Sequence, residues 1–160
     1  MDIFTFAMQF EKDGESYYRE LADKQSHAGI REICFMLAEA EAKHYHVIEQ
    51  LSHNVKPKDF ETPLLSNAKN VFRTMKVEKQ DVSMTSSLEM YEKALALEKD
   101  SLKFYLQQAE KETDSLLKEV FGLLANEEKQ HAFLLEAIIE FVNRPQTWLE
   151  NAEFNHLDEY

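Results

Sequence analysis

One cysteine, three glycines, three prolines and one tryptophan occur among 160 residues. The single Cys34 excludes an internal disulfide, and with it any CxxC pair for redox work or zinc. So few glycines and prolines leave little to interrupt a helix. Runs of alternating β-branched residues are missing, which argues against a sheet. No stretch nears the roughly 20 apolar residues of a membrane span. Met1-Asp2-Ile3-Phe4-Thr5 lacks the basic start and apolar run of a secretory signal. A cytoplasmic protein with no membrane partner is expected. Basic charge is also short: 18 Lys and Arg face 30 Asp and Glu, a formal net charge of −12. Such a surface repels phosphate backbones, so no nucleic-acid partner is expected.

What is abundant is Leu, Ala, Glu, Lys and Gln, all good helix formers. The length suits one domain, residues 1–160, of all-α class. Four long helices are predicted, over about Ile3–Lys24, Ala28–His53, Ser86–Lys111 and Asp114–Asn143. Ser26 and Thr113 are the predicted N-caps, with Gly29 loosening the start of the second helix. A long connection, about residues 54–85, holds Pro57 and Pro63 and a short helix over Leu64–Val77. Pro145 ends the fourth helix. The tail, residues 144–160, is expected to be short and helical, its Trp148, Phe154 and Tyr160 covering one bundle end or a partner subunit. Short loops make helices one and two, and three and four, antiparallel hairpins. A connection of about thirty residues can cross a bundle's length, so the bundle over about residues 3–143 takes the ferritin-like topology.

The chain also repeats itself. Glu11-Lys12-Asp13 with Tyr18 recurs as Glu98-Lys99-Asp100 with Tyr105, a displacement of 87 residues. Leu37-Ala38, Glu41 and His44 recur as Leu124-Ala125, Glu128 and His131 at the same displacement. Two signatures sharing one offset imply two copies of one hairpin, related by a pseudo-two-fold axis.

Each copy places acid in an apolar stripe. In the second helix Ile30, Cys34, Leu37, Glu41, His44, Ile48 and Leu51 form one continuous face. The fourth helix repeats it with Leu117, Phe121, Leu124, Glu128, His131, Leu135 and Ile138. The first and third point Glu11 and Glu98 at the same core. Burying one unpaired charge costs several kcal/mol. Four converging carboxylates are untenable unless protonated or neutralised, and two divalent cations balance them. Carboxylate with imidazole suits iron or manganese, and zinc less exclusively. One Glu from each of two helices with Glu-x-x-His from each of the other two is the known pattern of di-metal carboxylate bundles.

With those motifs in view, the chain resembles the rubrerythrin-like branch of the ferritin-like superfamily over about residues 3–143. The resemblance implies two iron ions, with manganese or zinc as substitutes. It implies terminal ligands Glu11 and Glu98, bridging carboxylates Glu41 and Glu128, and nitrogen ligands His44 and His131. Rubrerythrins usually carry a further glutamate one turn before the third-helix ligand, where this chain has Leu95. That departure implies a more symmetric site, closer to bacterioferritin-type centres. One cysteine provides no rubredoxin-type thiolate set, so electrons come from a separate donor. A homodimer is expected from the resemblance and from the aromatic tail.

The function expected is a non-haem di-iron oxidoreductase reducing peroxide or O2. The alternative is iron or manganese binding, storage or sensing without sustained turnover, and a purely structural module is the third possibility. Tyr18 and Tyr105, two turns beyond Glu11 and Glu98, are the candidate catalytic side chains. They are either core aromatics or hydroxyls that bond the site carboxylates and trap radicals. Gly14 and its repeat partner Ser101 are read as leaving room for oxidant. Cys34 is read as an inert core thiol, and Glu39 and Glu127 as outward-facing surface charge.

Overall fold

The computed structural model describes residues 2–58, 63–78, 88–150 and 153–159. Asp2 opens the first helix, α1 (Ile3–Asp23), by accepting the Thr5 amide N–H at 2.9 Å. A short turn leads to α2 (Ala28–Ser52). His27 caps α2, its Nδ1 accepting the Gly29 N–H at 3.1 Å. Ser26, the expected cap, stands one residue too early once the helix begins at Ala28.

The second pair is α4 (Leu88–Lys111) and α5 (Ser115–Asn143). Asp114 caps α5 through the Leu117 N–H at 3.0 Å. Thr113 was the expected cap; it lies outside the helix, and its own N–H is donated to the Glu112 carboxylate. The start predicted at Ser86 for α4 falls outside the described residues, as does the end of the crossover at Thr85.

α1 packs along α2 and α4 along α5, so the all-α architecture is two helix pairs, as in a ferritin-like bundle. Within the crossover, α3 (Leu64–Glu78) lies on α2. A Cβ on Gly29 would stand 2.7 Å from Met75 Sδ, so the bare glycine is what admits α3 so close to α2.

After α5 come α6 (Pro145–Glu150) and a 3-10 turn (Glu153–Glu159). Trp148 is only 1% exposed, its ring 4.6 Å from that of Phe72 and 5.7 Å from that of Phe141. Phe154 joins the same stack, and Lys69 of α3 pairs with Asp158. The tail therefore seals one end of its own bundle. Trp148 and Phe154 offer no exposed handle to a second subunit, because an indole buries too much apolar area to stay in water when such a groove is beside it. Tyr160 lies outside the described residues.

The apolar core comes in two pieces. One surrounds Leu21, Ile30, Leu37, Phe72 and Ile138 at the end closed by the tail. The other holds Ala7, Ile48, Tyr105, Phe121 and Leu124. A layer of buried acid and imidazole accompanies these two clusters.

Candidate metal centre

Each of the four long helices contributes to that layer. Glu11 of α1, Glu41 and His44 of α2, Glu98 of α4, and Glu128 and His131 of α5 are all buried, none more than 4% exposed. They fall into two groups: Glu11, Glu41, His44 and Glu128, and then Glu41, Glu98, Glu128 and His131. Within each group the candidate ligand atoms lie within 4.8 Å of one another. Glu41 and Glu128 belong to both. The hairpin repeat thus becomes a spatial pseudo-two-fold, with two carboxylates shared across it.

Contacts follow the same symmetry. His44 Nδ1 is 2.9 Å from Glu128 Oε1, and His131 Nδ1 is 3.0 Å from Glu41 Oε1. Each histidine also faces a carboxylate of its own hairpin: Glu11 lies 3.6 Å from His44 and Glu98 3.3 Å from His131. The two imidazoles stack with centroids 5.3 Å apart and planes within 7°. The Tyr18 hydroxyl donates to Glu98 Oε1 at 2.5 Å, and the Tyr105 hydroxyl to Glu11 Oε1 at 2.5 Å.

Crowded acid distorts ionisation. Burial, followed by the charge of neighbouring carboxylates, holds the Glu41 and Glu128 carboxyls well above their usual range. Burial also opposes ionisation of Glu98, yet the charge of His131 and hydrogen bonds bring it down to about 2. Glu11 is likewise lowered: burial opposes this, but its hydrogen bond with Glu41 and the charge of His44 prevail. His44 is raised because Glu11 and its other acidic neighbours overcome burial. Both tyrosines are raised well above their ordinary value, by burial first and then by the carboxylates they touch.

Protein groups alone do not satisfy this layer. Glu11 Oε2, Glu98 Oε2 and Glu128 Oε2 are buried without a hydrogen-bond partner among the described residues. Leaving such an atom unpaired costs about 1–3 kcal/mol, more when it is charged. His131 Nδ1 faces three carboxylates, Glu41, Glu98 and Glu128, within 3.7 Å, and one ring proton serves only one of them well. A cation accepts several oxygens and a nitrogen at once. The donor set, all carboxylate and imidazole with no thiolate, fits iron or manganese. The residues fit a two-metal centre.

A family model described as Rubrerythrin matches residues 2–139. The chain belongs to the rubrerythrin family. No curated protein and no solved structure matches it.

Within this rubrerythrin-family site, one reading from sequence is overturned. Glu127 does not turn outward: it is 3% exposed, with Oε1 4.0 Å from His44 Nε2. The physical reason is a second apolar seam on α5. Val120, Glu127, Leu134 and Phe141 recur every seven residues, and the three apolar ones are buried. That heptad spacing was the available signal. Its repeat counterpart is Ala40, so the acidic neighbour exists on one side only. Glu39, by contrast, is exposed and pairs with Arg19 at 2.9 Å.

Gly14 touches the site directly. A Cβ there would come within 3.1 Å of Glu41 Oε2, so its bareness makes room for the carboxylate itself. Its repeat partner Ser101 is buried, with a hydroxyl that has no hydrogen-bond partner. Cys34 stands apart from the site, its thiol pushed up to about 12 by burial, which keeps it un-ionised and inert.

Proposed function

We propose that this chain is a non-haem di-iron oxidoreductase that reduces peroxide or O2 at a carboxylate-bridged two-iron site. The observation that supports it most is the sharing of Glu41 and Glu128 between two buried ligand groups. In this reading Glu41 and Glu128 would be shared by the two irons, Glu11 and Glu98 would each serve one, and His44 and His131 would supply the nitrogen ligands. A bound ferrous pair supplies two electrons together, so an oxidant is reduced without release of a one-electron radical.

The chain's own residues do the rest. Glu41 and Glu128, proton-holding by burial and mutual repulsion, give up those protons when cations replace them. Tyr18 and Tyr105 keep their hydroxyl protons because burial and adjacent acid disfavour phenolate. Each therefore stays a donor to Glu98 or Glu11, fixing that carboxylate and holding a proton beside it. Reduction of one peroxide to two waters consumes two electrons and two protons, and two such hydroxyls flank the site. Apolar clusters flank the site on either hand.

The protein in this reading is a cytoplasmic homodimer supplied with electrons by a separate donor. Among the described residues no helix is long and apolar enough to cross a membrane.

The test is anaerobic loading with Fe²⁺ followed by stopped-flow mixing with peroxide. Rapid oxidation of two irons per chain, repeatable after reduction, supports the oxidoreductase. Slow or single-use oxidation favours iron or manganese binding, storage or sensing instead.

A further inference from the structure

A pocket of about 240 Å³ opens between α1 and α4 and reaches the metal layer. Its buried end is formed by Glu41 and Glu98, one from each kind of ligand position. Its walls are apolar: Phe10 and Tyr17 from α1, Ala94 and Leu97 from α4. Asp13 and Lys93, both exposed, stand at its solvent side.

The repeat supplies a comparison, because the other half of the molecule carries different side chains at the equivalent place. The 87-residue displacement relates Tyr17 to Phe104 and Lys93 to Phe6. Phe6 and Phe104 pack on each other, ring centroids 5.2 Å apart. At the open end the equivalent pair is Lys93 over the Tyr17 ring, 5.8 Å away. The Tyr17 hydroxyl donates to the Met90 carbonyl at 2.7 Å, which holds its ring in place as a wall. Two packed rings stand on one side of the pseudo-symmetric bundle; on the other, an aromatic wall and a lysine border the opening.

Size and charge then define what fits. Water has a liquid share of about 30 Å³, and a cavity of about 150 Å³ holds benzene. Peroxide or O2 alone would leave most of this space unused. An apolar body of roughly ten non-hydrogen atoms fills it, on the same scale. Asp13 and Lys93 cancel at the mouth, and bound cations neutralise Glu41 and Glu98, so no net positive charge favours an anion. Mostly apolar walls with a few convergent polar groups are the usual form of a small-molecule site.

We propose that this pocket binds the organic body of a small, neutral, aryl or branched-alkyl hydroperoxide, directing its O–O bond toward Glu41 and Glu98. The proposal rests on the di-iron reading above. The O–O bond is cleaved; two electrons come from the ferrous pair and two protons from solvent by way of the site. The products are one alcohol, one water and two ferric ions, and an external electron donor restores the ferrous state. Contacts with the non-reacting body supply binding energy that hydrogen peroxide lacks.

The experiment transplants the Phe6–Phe104 pair onto the Tyr17–Lys93 side. In the full chain loaded with Zn²⁺, cumyl alcohol, the unreactive product-shaped probe, is titrated while backbone amides are followed by NMR. Saturable shifts confined to Gly14, Ala94, Leu97 and their neighbours are expected. The double variant Tyr17→Phe, Lys93→Phe should weaken binding at least tenfold. Leu97→Trp, which fills the pocket from α4, provides an independent closure should the double variant fold poorly. In the ferrous protein either closure should slow oxidation by cumene hydroperoxide at least tenfold and oxidation by hydrogen peroxide less than twofold. Absence of saturable shifts, or equal binding in both closed variants, overturns the proposal. So does a shift of the same amides with protein concentration alone, which would make the pocket a contact between two copies. If hydrogen peroxide oxidises the ferrous protein while cumene hydroperoxide does so no differently in the closed variants, the pocket proposal falls and the oxidoreductase stands. If neither oxidant reacts, both fall.

Discussion

The Tyr18 hydroxyl on α1 donates a 2.5 Å hydrogen bond to Glu98 on α4, and Tyr105 on α4 returns the same bond to Glu11 on α1. Each tyrosine thus anchors the carboxylate that its own repeat partner accompanies in sequence. The two bonds cross between hairpins whose helices otherwise pack mainly within their own pair. They tie the halves together at the level of the metal layer.

Tyr18→Phe should therefore cost about 1.5–3 kcal/mol, the range for a hydrogen bond to a charged group. Urea unfolding of the metal-free protein measures it. Tyr105→Phe should behave alike, and the double variant should exceed either alone. In the ferrous protein each single variant should also slow oxidation and alter its solvent isotope effect. A Tyr18→Phe protein as stable and as fast as the parent would remove both roles.

Glu41→Ala should abolish loading of two metals per chain, because Glu41 belongs to both ligand groups. Glu39→Ala, two residues away but exposed and paired only with Arg19 in the described contacts, should load normally. Metal analysis after Fe²⁺ or Mn²⁺ titration distinguishes them. Gly14→Leu belongs with the first of these: a side chain there presses on Glu41, so metal binding should suffer along with oxidation. That differs from the sequence expectation, in which Gly14 only made room for oxidant.

Metal-free protein should lose stability as pH rises. Glu41 and Glu128 are held above their ordinary 4.5 by burial and then by neighbouring carboxylates. Their stabilising contribution is complete below 4.5 and is lost as pH climbs through the raised folded-state values. His44 acts in the same direction from its ordinary 6.5: burial opposes the shift, and the acidic neighbours led by Glu11 outweigh it. Glu98, held down to about 2, contributes fully above 4.5 and loses that contribution only in strong acid. Thermal melts of chelator-treated protein should therefore fall as pH is raised above 6.5. Zn²⁺-loaded protein should show a higher Tm across that window and little decline, since bound cations replace the protons. A flat profile in the chelated sample would contradict the proton-sharing account.

Glu127→Gln should make the two metal positions more alike. A carboxylate hydrogen-bonded to the far nitrogen of a ligating imidazole is worth about 10–100-fold in affinity; at 4.0 Å Glu127 acts through charge alone, so its loss should cost less. Only His44 has Glu127 within 4.0 Å, so the loss should fall on one of two binding steps in a Zn²⁺ calorimetric titration. Equal weakening of both steps would show that Glu127 acts on the bundle as a whole.

Much of this was present in residue order. Helical spacing put Glu41 and His44 in line with Leu37 and Ile48, and the 87-residue repeat put Glu128 and His131 in line with Leu124 and Leu135. The boundaries of α2 and α5 fell within a residue of expectation. The crossover helix, expected over Leu64–Val77, runs Leu64–Glu78. At the site, the misreading came where a second face mattered. Glu127 lies on a seam that is apolar only because α5 is buried on more than one side, and a single-stripe reading of a helix has no place for that.

Periodicity and repetition, local properties carried along one chain, determined by themselves that four helices form and that six acid and imidazole side chains share their inner faces. Which hydroxyl meets which carboxylate, that Gly14 yields to Glu41, that Glu127 faces His44, and that Phe6 packs on Phe104 while a pocket opens beside Tyr17 and Lys93 were decided only by packing. The reason is physical: spacing along a helix sets the direction a side chain leaves the axis, whereas its partner depends on how closely a different helix approaches and which side chains fill the space between.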